Sequence, residues 1–467
     1  MKRSVWIAGG LLALVTAAGA GVLCFTPAGP FLRNAPEVGA GYAAELTCAG
    51  IFVMGRDPDD VIRDDIRPAN PLLKHAEISV DRDGKSVTAS LFSLARRTAL
   101  YRPGLGCTLA GKEGVQALRD QAVGVVPMEM RERPAPWPAG DKVETAETPE
   151  LAKALDDAFA DGSNTRAIIV VQAGKIVAER YAQGFDRATR FPGWSMAKSV
   201  TSALTGALVA EGRLSLDAPA PVPAWTDASD ARHAITLRQL LTMSSGLHFK
   251  EYYLPGDDAT TMLYRRDDTG AFAASQPLDH PPGAAWSYSS GTANIVSRLV
   301  FQAAGSTAAG TYDFARTHLF EPTGMTSAVM SPDATGSPVG SSYVSMTARD
   351  WARFGQLYLD GGRAGWQRVF SEAWTEESRR PAKLADGKPV AYGLSFWLNS
   401  DGTADTPLRF PDCPADTYFA EGHYGQFVGI VPSEHVVLVR LGQNPGEGAF
   451  NANRHFAAMM EALKARH

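Results

Sequence analysis

The sequence predicts an α+β protein. Strands from the two ends of a long C-terminal segment build an antiparallel sheet, helices cover it, a helical subdomain lies between, and a small β-rich unit precedes it. Three observations point there. Residues 166–182, "RAIIVVQAGKIVAERYA", are two apolar runs around a turn at Ala173-Gly174-Lys175. Residues 427–443, "FVGIVPSEHVVLVRLGQ", repeat that pattern around a Pro-Ser turn. Between the pairs, residues 195–380 carry mostly helical periodicity and long loops. A sheet closed by sequence-distant strands forms slowly. The closing helix, "ANRHFAAMMEALKAR" (452–466), is therefore expected to be needed for stability.

Taken in order, the chain opens with "MKRSVWIAGGLLALVTAAGAGVLCF" (1–25). Lys2 and Arg3, the apolar core and the small residues Ala18-Gly19-Ala20 fit a secretory signal peptide. The same run has about the ~20 residues of a membrane anchor. Either reading places the rest of the chain outside the cytoplasm, in the periplasm or tethered to the membrane.

Residues 40–124 read as a small separate unit, since "AEISVDRDGKSVTASLFSLARRTALYR" alternates apolar and polar residues around Asp83-Gly84, a hairpin signal. Of four cysteines, Cys24 falls in the apolar segment. In an oxidising compartment Cys48 and Cys107 are candidates for a disulfide closing the unit, against the alternative of free or buried thiols. Residues 125–149, rich in Pro and Glu, read as an extended linker. "PELAKALDDAFAD" then starts the main domain, 150–467, with a helix.

Of 467 residues, 45% are hydrophobic and 20% charged, and the net charge is -5. That mild acidity, without a run of Lys and Arg, gives no reason to expect nucleic acid as a partner. No Cys/His cluster has zinc-like spacing.

The chemistry begins at "FPGWSMAKSV" (191–200), where Ser195 precedes a helix and Lys198 follows three residues later. Met196, Val200, Leu204 and Leu208 recur every four residues, which predicts a buried helix ending near Glu211-Gly212. A lysine at i+3 shares the serine's face. Desolvation lowers a lysine pKa towards that of a usable base, and free N–H groups at a helix start stabilise an oxyanion. The blander reading makes Ser195 a helix cap and sends Lys198 out to solvent.

A second stretch, "PPGAAWSYSSGTANIVSRLV" (281–300), places Tyr288 and Ser290 before a helix. Tyr288 is expected to exchange protons, with nearby positive charge lowering its pKa, and Ser290 to hydrogen-bond Lys198 or a substrate amide. In a third, "FAEGHYGQFVGIVP" (419–432), His423-Tyr424-Gly425 is expected to open an edge strand whose N–H groups meet an extended acyl chain. The loop "HFKEYYLPGDDATTMLYRRDD" (248–268) offers Glu251, Tyr252 or Asp258 to an amine end of a substrate.

Together, Ser-x-x-Lys, Tyr-Ser-Ser and His-x-Gly resemble the active-site-serine β-lactamase and penicillin-binding superfamily, in its class C-like branch. The wording is nearest to the nylon-oligomer (6-aminohexanoate-dimer) hydrolases and the carboxylesterases of β-lactamase fold. "LRQLLTMSSGL" (237–247) and "SMTARDWARFGQLYLDGG" (345–362) look like landmarks of the same group. The resemblance covers roughly residues 150–465 and leaves out the N-terminal unit.

It implies Ser195 as nucleophile, Lys198 as the group removing its proton, and Tyr288 as proton shuttle to the leaving group and from water. The backbone N–H groups of Ser195 and of Gln426, after Gly425, would form the oxyanion hole. The reaction implied is acyl transfer to water through an acyl-enzyme, without metal or cofactor.

His423 and Tyr424 stand where the β-lactamases have Lys-Thr, which weakens carboxylate recognition. Ser290 replaces the class C asparagine. An ester or small linear amide is therefore the expected substrate. The alternative is a penicillin-binding-type or non-turnover peptide-binding sensor on the same fold.

Overall fold

The computed structural model describes residues 29–464 except 146, 445 and 447, so the apolar segment read as signal or anchor lies outside the described residues. Among the described residues no helix is long and apolar enough to cross a membrane.

A helix, α1 (Gly29–Cys48), leads into a four-stranded antiparallel sheet, β1 (Ala76–Asp81), β2 (Ser86–Leu91), β3 (Ala95–Arg102) and β4 (Gly106–Leu109), paired in that order. The β1–β2 turn closes on Asp81, whose carboxylate accepts from the Gly84 N–H at 2.9 Å. A disulfide joins Cys48, at the end of α1, to Cys107 in β4.

The N-terminal sheet was expected to stand apart, and it does not. Alternate residues of β1 face out, while the inner face of the sheet is covered by α1. The other side of α1 needs cover in turn. Gly41 packs so closely on Tyr264 that a Cβ there would meet the Tyr264 Cβ at 2.9 Å. Glu37 accepts from Arg97 at 3.1 Å and from Arg265 at 2.7 Å, tying sheet and main domain to one helix. Val38, Ala44 and Val87 thus belong to the same apolar core as Val200 and Leu204.

The main domain starts with α2 (Pro149–Ala160), capped by Thr148, whose hydroxyl accepts from the Leu151 N–H at 3.3 Å. β5 (Thr165–Gln172) and β6 (Lys175–Tyr181) follow, then the buried helix α3 (Met196–Ala210). Past the helical region lie α4 (Ser290–Ala303) and α5 (Ala348–Leu359). The last strands are β7 (Trp397–Leu398), β8 (Tyr418–Gly422), β9 (Gln426–Val431) and β10 (Val436–Gly442), and α6 (Ala452–Lys464) closes the chain.

The main sheet has six antiparallel strands in the order β7-β8-β9-β10-β5-β6. Its two chain ends meet where Val436 to Leu441 pair with Gln172 to Ala167. Alternation sorts the side chains. Ile168, Val170 and Leu438 face α2 and α6, while Ile169, Val171 and Val437 face the core holding α3 and α5. The Pro-rich segment is strapped to α5: Arg353 donates to the Pro138 carbonyl at 3.0 Å and to Asp141 at 2.6 Å.

One detail differs from expectation. His423, Tyr424 and Gly425 form the turn between β8 and β9 rather than opening a strand, and β9 runs inside the sheet. The edge on this side of the sheet is the two-residue β7.

Candidate active site

Ser195 stands at the start of α3 because the chain before it is tightly bent. Gly193 is wedged where a Cβ would come within 2.3 Å of the Trp351 ring, its N–H donates to the Val344 carbonyl at 2.8 Å, and Trp194 takes a left-handed φ of 49°. Although Ser195 occupies the N-cap position, its side chain makes no capping hydrogen bond. The hydroxyl is thus not consumed by the helix.

Nor does Lys198 reach solvent. It is 1% exposed, one turn into a helix buried from Met196 to Leu208. Its Nζ donates to Ser195 Oγ at 2.9 Å, Ser290 Oγ at 3.0 Å and the Ser341 carbonyl at 3.1 Å. Burial lowers its pKa to about 8, and the carboxylate of Glu251 acts against that shift without cancelling it.

Helix α4 sets two of those three partners. Ser290 is its first residue, and Asn294, one turn on, holds the Ser341 loop. The Asn294 amide donates to Ser341 Oγ at 3.1 Å, and its oxygen accepts from the Ser341 N–H at 3.2 Å. Ser290 is held from the other side by Glu251, whose carboxylate accepts from the Ser290 N–H at 2.8 Å and from its hydroxyl. Tyr253 donates to the same carboxylate at 2.9 Å and lies 3.3 Å from Ser290 Oγ.

Of the three loop residues singled out in sequence, only Glu251 enters this cluster. Tyr252 is 79% exposed, and Asp258 accepts from the Lys250 N–H at 2.9 Å, bracing the loop itself.

Tyr288 closes the cluster. Its ring stacks on Trp397 at 5.2 Å and meets Tyr392 edge-on at 6.1 Å, with Lys198 Nζ 4.8 Å from the ring centroid. The expected lowering of its pKa does not occur. Burial pushes the phenol well up, and a hydrogen bond with Ser195 offsets only part of that. Tyr288 is accordingly a neutral phenol, a proton holder.

The third motif frames the site. Gly422, ending β8, approaches the Gly193 carbonyl so closely that a Cβ would come within 2.1 Å. The His423 ring stacks with Tyr253 at 6.0 Å and meets Trp194 edge-on at 5.6 Å. Gly425 has φ 78°, and a Cβ there would lie 2.4 Å from the Asn444 amide. The buried Gln426 donates from its side chain to the His423 carbonyl at 3.0 Å and the Gly442 carbonyl at 2.7 Å, pinning the turn. Ser195, Lys198, Tyr288 and Ser290 thus converge, and His423, Gly425 and Gln426 shape one wall. Ser341 and Asn294 were missed in sequence; a backbone carbonyl and its brace have no side-chain signature.

Residues 152–459 match the family model described as Beta-lactamase. The chain belongs to the β-lactamase family. The 6-aminohexanoate-dimer hydrolase of Paenarthrobacter ureafaciens is 29% identical over 322 residues, covering 64% of this chain and 76% of its own. Among solved structures, a family VIII carboxylesterase is 18% identical with a TM-score of 0.51, covering 69% of this chain and 99% of its own. A penicillin-binding protein homologue from Caulobacter crescentus is also 18% identical with a TM-score of 0.51, covering 70% of this chain and 100% of its own. This β-lactamase-family chain therefore has the mixed helix-and-antiparallel-sheet fold of those structures. Residues 29–151 fall outside the family match.

Proposed function

We propose that the protein is an exported serine hydrolase that cleaves an ester or small linear amide through an acyl-enzyme on Ser195. One observation carries this reading: a buried amine with a lowered pKa lies 2.9 Å from a serine hydroxyl that its helix does not use.

The partners of Lys198 dictate where its lone pair goes. The Ser341 carbonyl only accepts. The Ser290 hydroxyl gives its proton to Glu251 and so offers Lys198 an oxygen. Two N–H groups of the neutral amine are thereby committed, and the lone pair faces Ser195 Oγ. With a pKa of about 8, roughly a tenth of Lys198 is neutral at pH 7. It accepts the Ser195 proton as the oxygen attacks the carbonyl, and returns it to Ser195 Oγ when the acyl–oxygen bond breaks in deacylation. Tyr288, a protonated phenol beside Ser195, donates to the departing oxygen or nitrogen and recovers a proton from the deacylating water. The N–H groups of Ser195 and Gln426 are assigned to the oxyanion.

The relative named for 6-aminohexanoate-dimer hydrolysis supports an amide, and the replacement of Lys-Thr by His423-Tyr424 argues against a carboxylate-bearing β-lactam. A fluorophosphonate should label Ser195 in the full chain and leave Ser195→Ala unlabelled, and short p-nitrophenyl esters should turn over repeatedly. Labelling that persists in Ser195→Ala discards the nucleophile. Acylation of Ser195 without turnover would instead favour the sensor alternative.

A further inference from the structure

Beside the catalytic cluster lies a cavity of about 140 Å³ that the N-terminal unit helps to build. Val38 and Gly39 of α1, with Leu72, Leu73 and Leu91, line its inner side. Trp194, Tyr253 and His423 line it towards the catalytic cluster. We propose that this cavity takes the apolar acyl chain of the substrate, so that the N-terminal unit sets acyl-length specificity. The proposal rests on Ser195 acting as the nucleophile.

Position is the first argument. Ser195 itself does not line the cavity, but Trp194 is the residue next to it and the Tyr253 hydroxyl lies 3.3 Å from Ser290 Oγ, so one layer of side chains links the cavity to the reacting groups. Charge is the second. No Asp, Glu, Lys or Arg lines the cavity, and His423 is its one titratable group besides tyrosines, so it offers no permanently charged partner to an ammonium or carboxylate end and suits an uncharged chain.

Direction is the third. A leaving group must reach the phenol of Tyr288, which packs on Trp397 and Tyr392. None of those three residues lines the cavity. The leaving group therefore occupies the Tyr288 side and the acyl group the other. Apolar side chains of Ala35, Val38, Ala69, Leu72, Leu73 and Leu91 line it beside tyrosine hydroxyls, and a mainly apolar pocket with some polar groups is the usual form of a small-molecule site. The wall is tight as well, since a Cβ on Gly39 would come within 2.6 Å of Leu91.

The test uses the full chain with p-nitrophenyl acetate, butyrate, octanoate and dodecanoate, which share one leaving group. Each methylene that the cavity buries should raise kcat/KM about fourfold. Octanoate should thus exceed acetate by at least about tenfold. Ala69→Phe and Ala35→Phe, which fill the cavity, should each lower the octanoate-to-acetate ratio about tenfold. Leu72→Ala, at a half-buried position that tolerates truncation, should move the preference towards dodecanoate.

A wild-type ratio near one overturns the proposal without any variant. A ratio unchanged in the filling variants and in Leu72→Ala, all melting near wild type, overturns it as well. If acetate is cleaved through Ser195 while the ratio stays flat, the cavity assignment alone falls. If Ser195 is unlabelled and no ester is cleaved, the hydrolase reading falls with it.

Discussion

Two buried cations, one among the site's hydroxyls and one behind the turn that walls it, are held in different ways. Lys198 and Arg440 are 1% and 0% exposed, and burial lowers the pKa of each. Arg440 is saturated with acceptors. It donates to the Tyr424 and Gly425 carbonyls at 3.1 and 2.8 Å, to the Ser163 carbonyl at 2.9 Å and to Thr165 Oγ1 at 3.1 Å, with its guanidinium over Phe450.

All those contacts favour the charged form, and a guanidinium does not release its proton. Arg440 therefore braces the turn that carries His423 to Gly425. Lys198 has three partners, one of them the Ser195 hydroxyl proposed as nucleophile, and burial brings its pKa down to about 8. The same burial penalty thus yields a brace where the cation is fully bonded to oxygen, and, on the proposed mechanism, a base where one of its partners is the Ser195 hydroxyl.

Substitutions should split along that line. Lys198→Met keeps the volume and should lower ester kcat/KM by about three to four orders of magnitude while the protein stays folded. It should also alter stability against pH. The folded pKa of Lys198 is depressed, so the unfolded chain holds more protons between about 8 and the model-peptide value near ~10.4, and Lys198 adds stability as pH rises through that window. Urea midpoints compared with wild type should show that rise missing from Lys198→Met.

Arg440→Met should act mainly on folding, because it strands the carbonyls of Ser163, Tyr424 and Gly425. A loss of roughly 3–5 kcal/mol by denaturant unfolding is expected. Near-wild-type stability would erase the contrast between the two cations.

Tyr288→Phe keeps the stack on Trp397 but removes the phenol oxygen. It should cost about a hundredfold in kcat/KM, and more for an amide than for a p-nitrophenyl ester, whose leaving group needs no proton. Gly425→Ala is the mildest. Its Cβ at a left-handed φ of 78° would crowd Asn444 and Arg440, so about 2 kcal/mol of stability should be lost.

How far the sequence could be read follows the range of each interaction. Ser195 and Lys198 are three apart on one helix, so their meeting is a local matter and was legible. The strand pairs at 166–182 and 427–443 were legible too, because alternation and turn residues are local. Helix α1 was not. Pro36 and its glycines weaken the helical pattern, and the helix is held by packing on β2, β3 and Tyr264 that no local window contains.

Glu251 could be named from its loop, but its attachment to Ser290 could not, since that contact spans 39 residues. The Tyr288 pKa was misjudged for a related reason. The sequence shows a lysine that ends up close by, whereas the burial by Trp397 and Tyr392 that outweighs it comes from about a hundred residues downstream.

The claim that Lys198, uncharged, takes the proton of Ser195 is tested most directly by the rate of Ser195 labelling by a fluorophosphonate as a function of pH. The serine oxygen attacks phosphorus and expels fluoride, a leaving group that needs no proton from Tyr288, and no hydrolytic step enters the signal, so the profile isolates the attacking oxygen. A single ascending limb with a midpoint near about 8, absent from Lys198→Met, is the predicted result. A rate that is flat across that range, or a limb that survives in Lys198→Met, would contradict it.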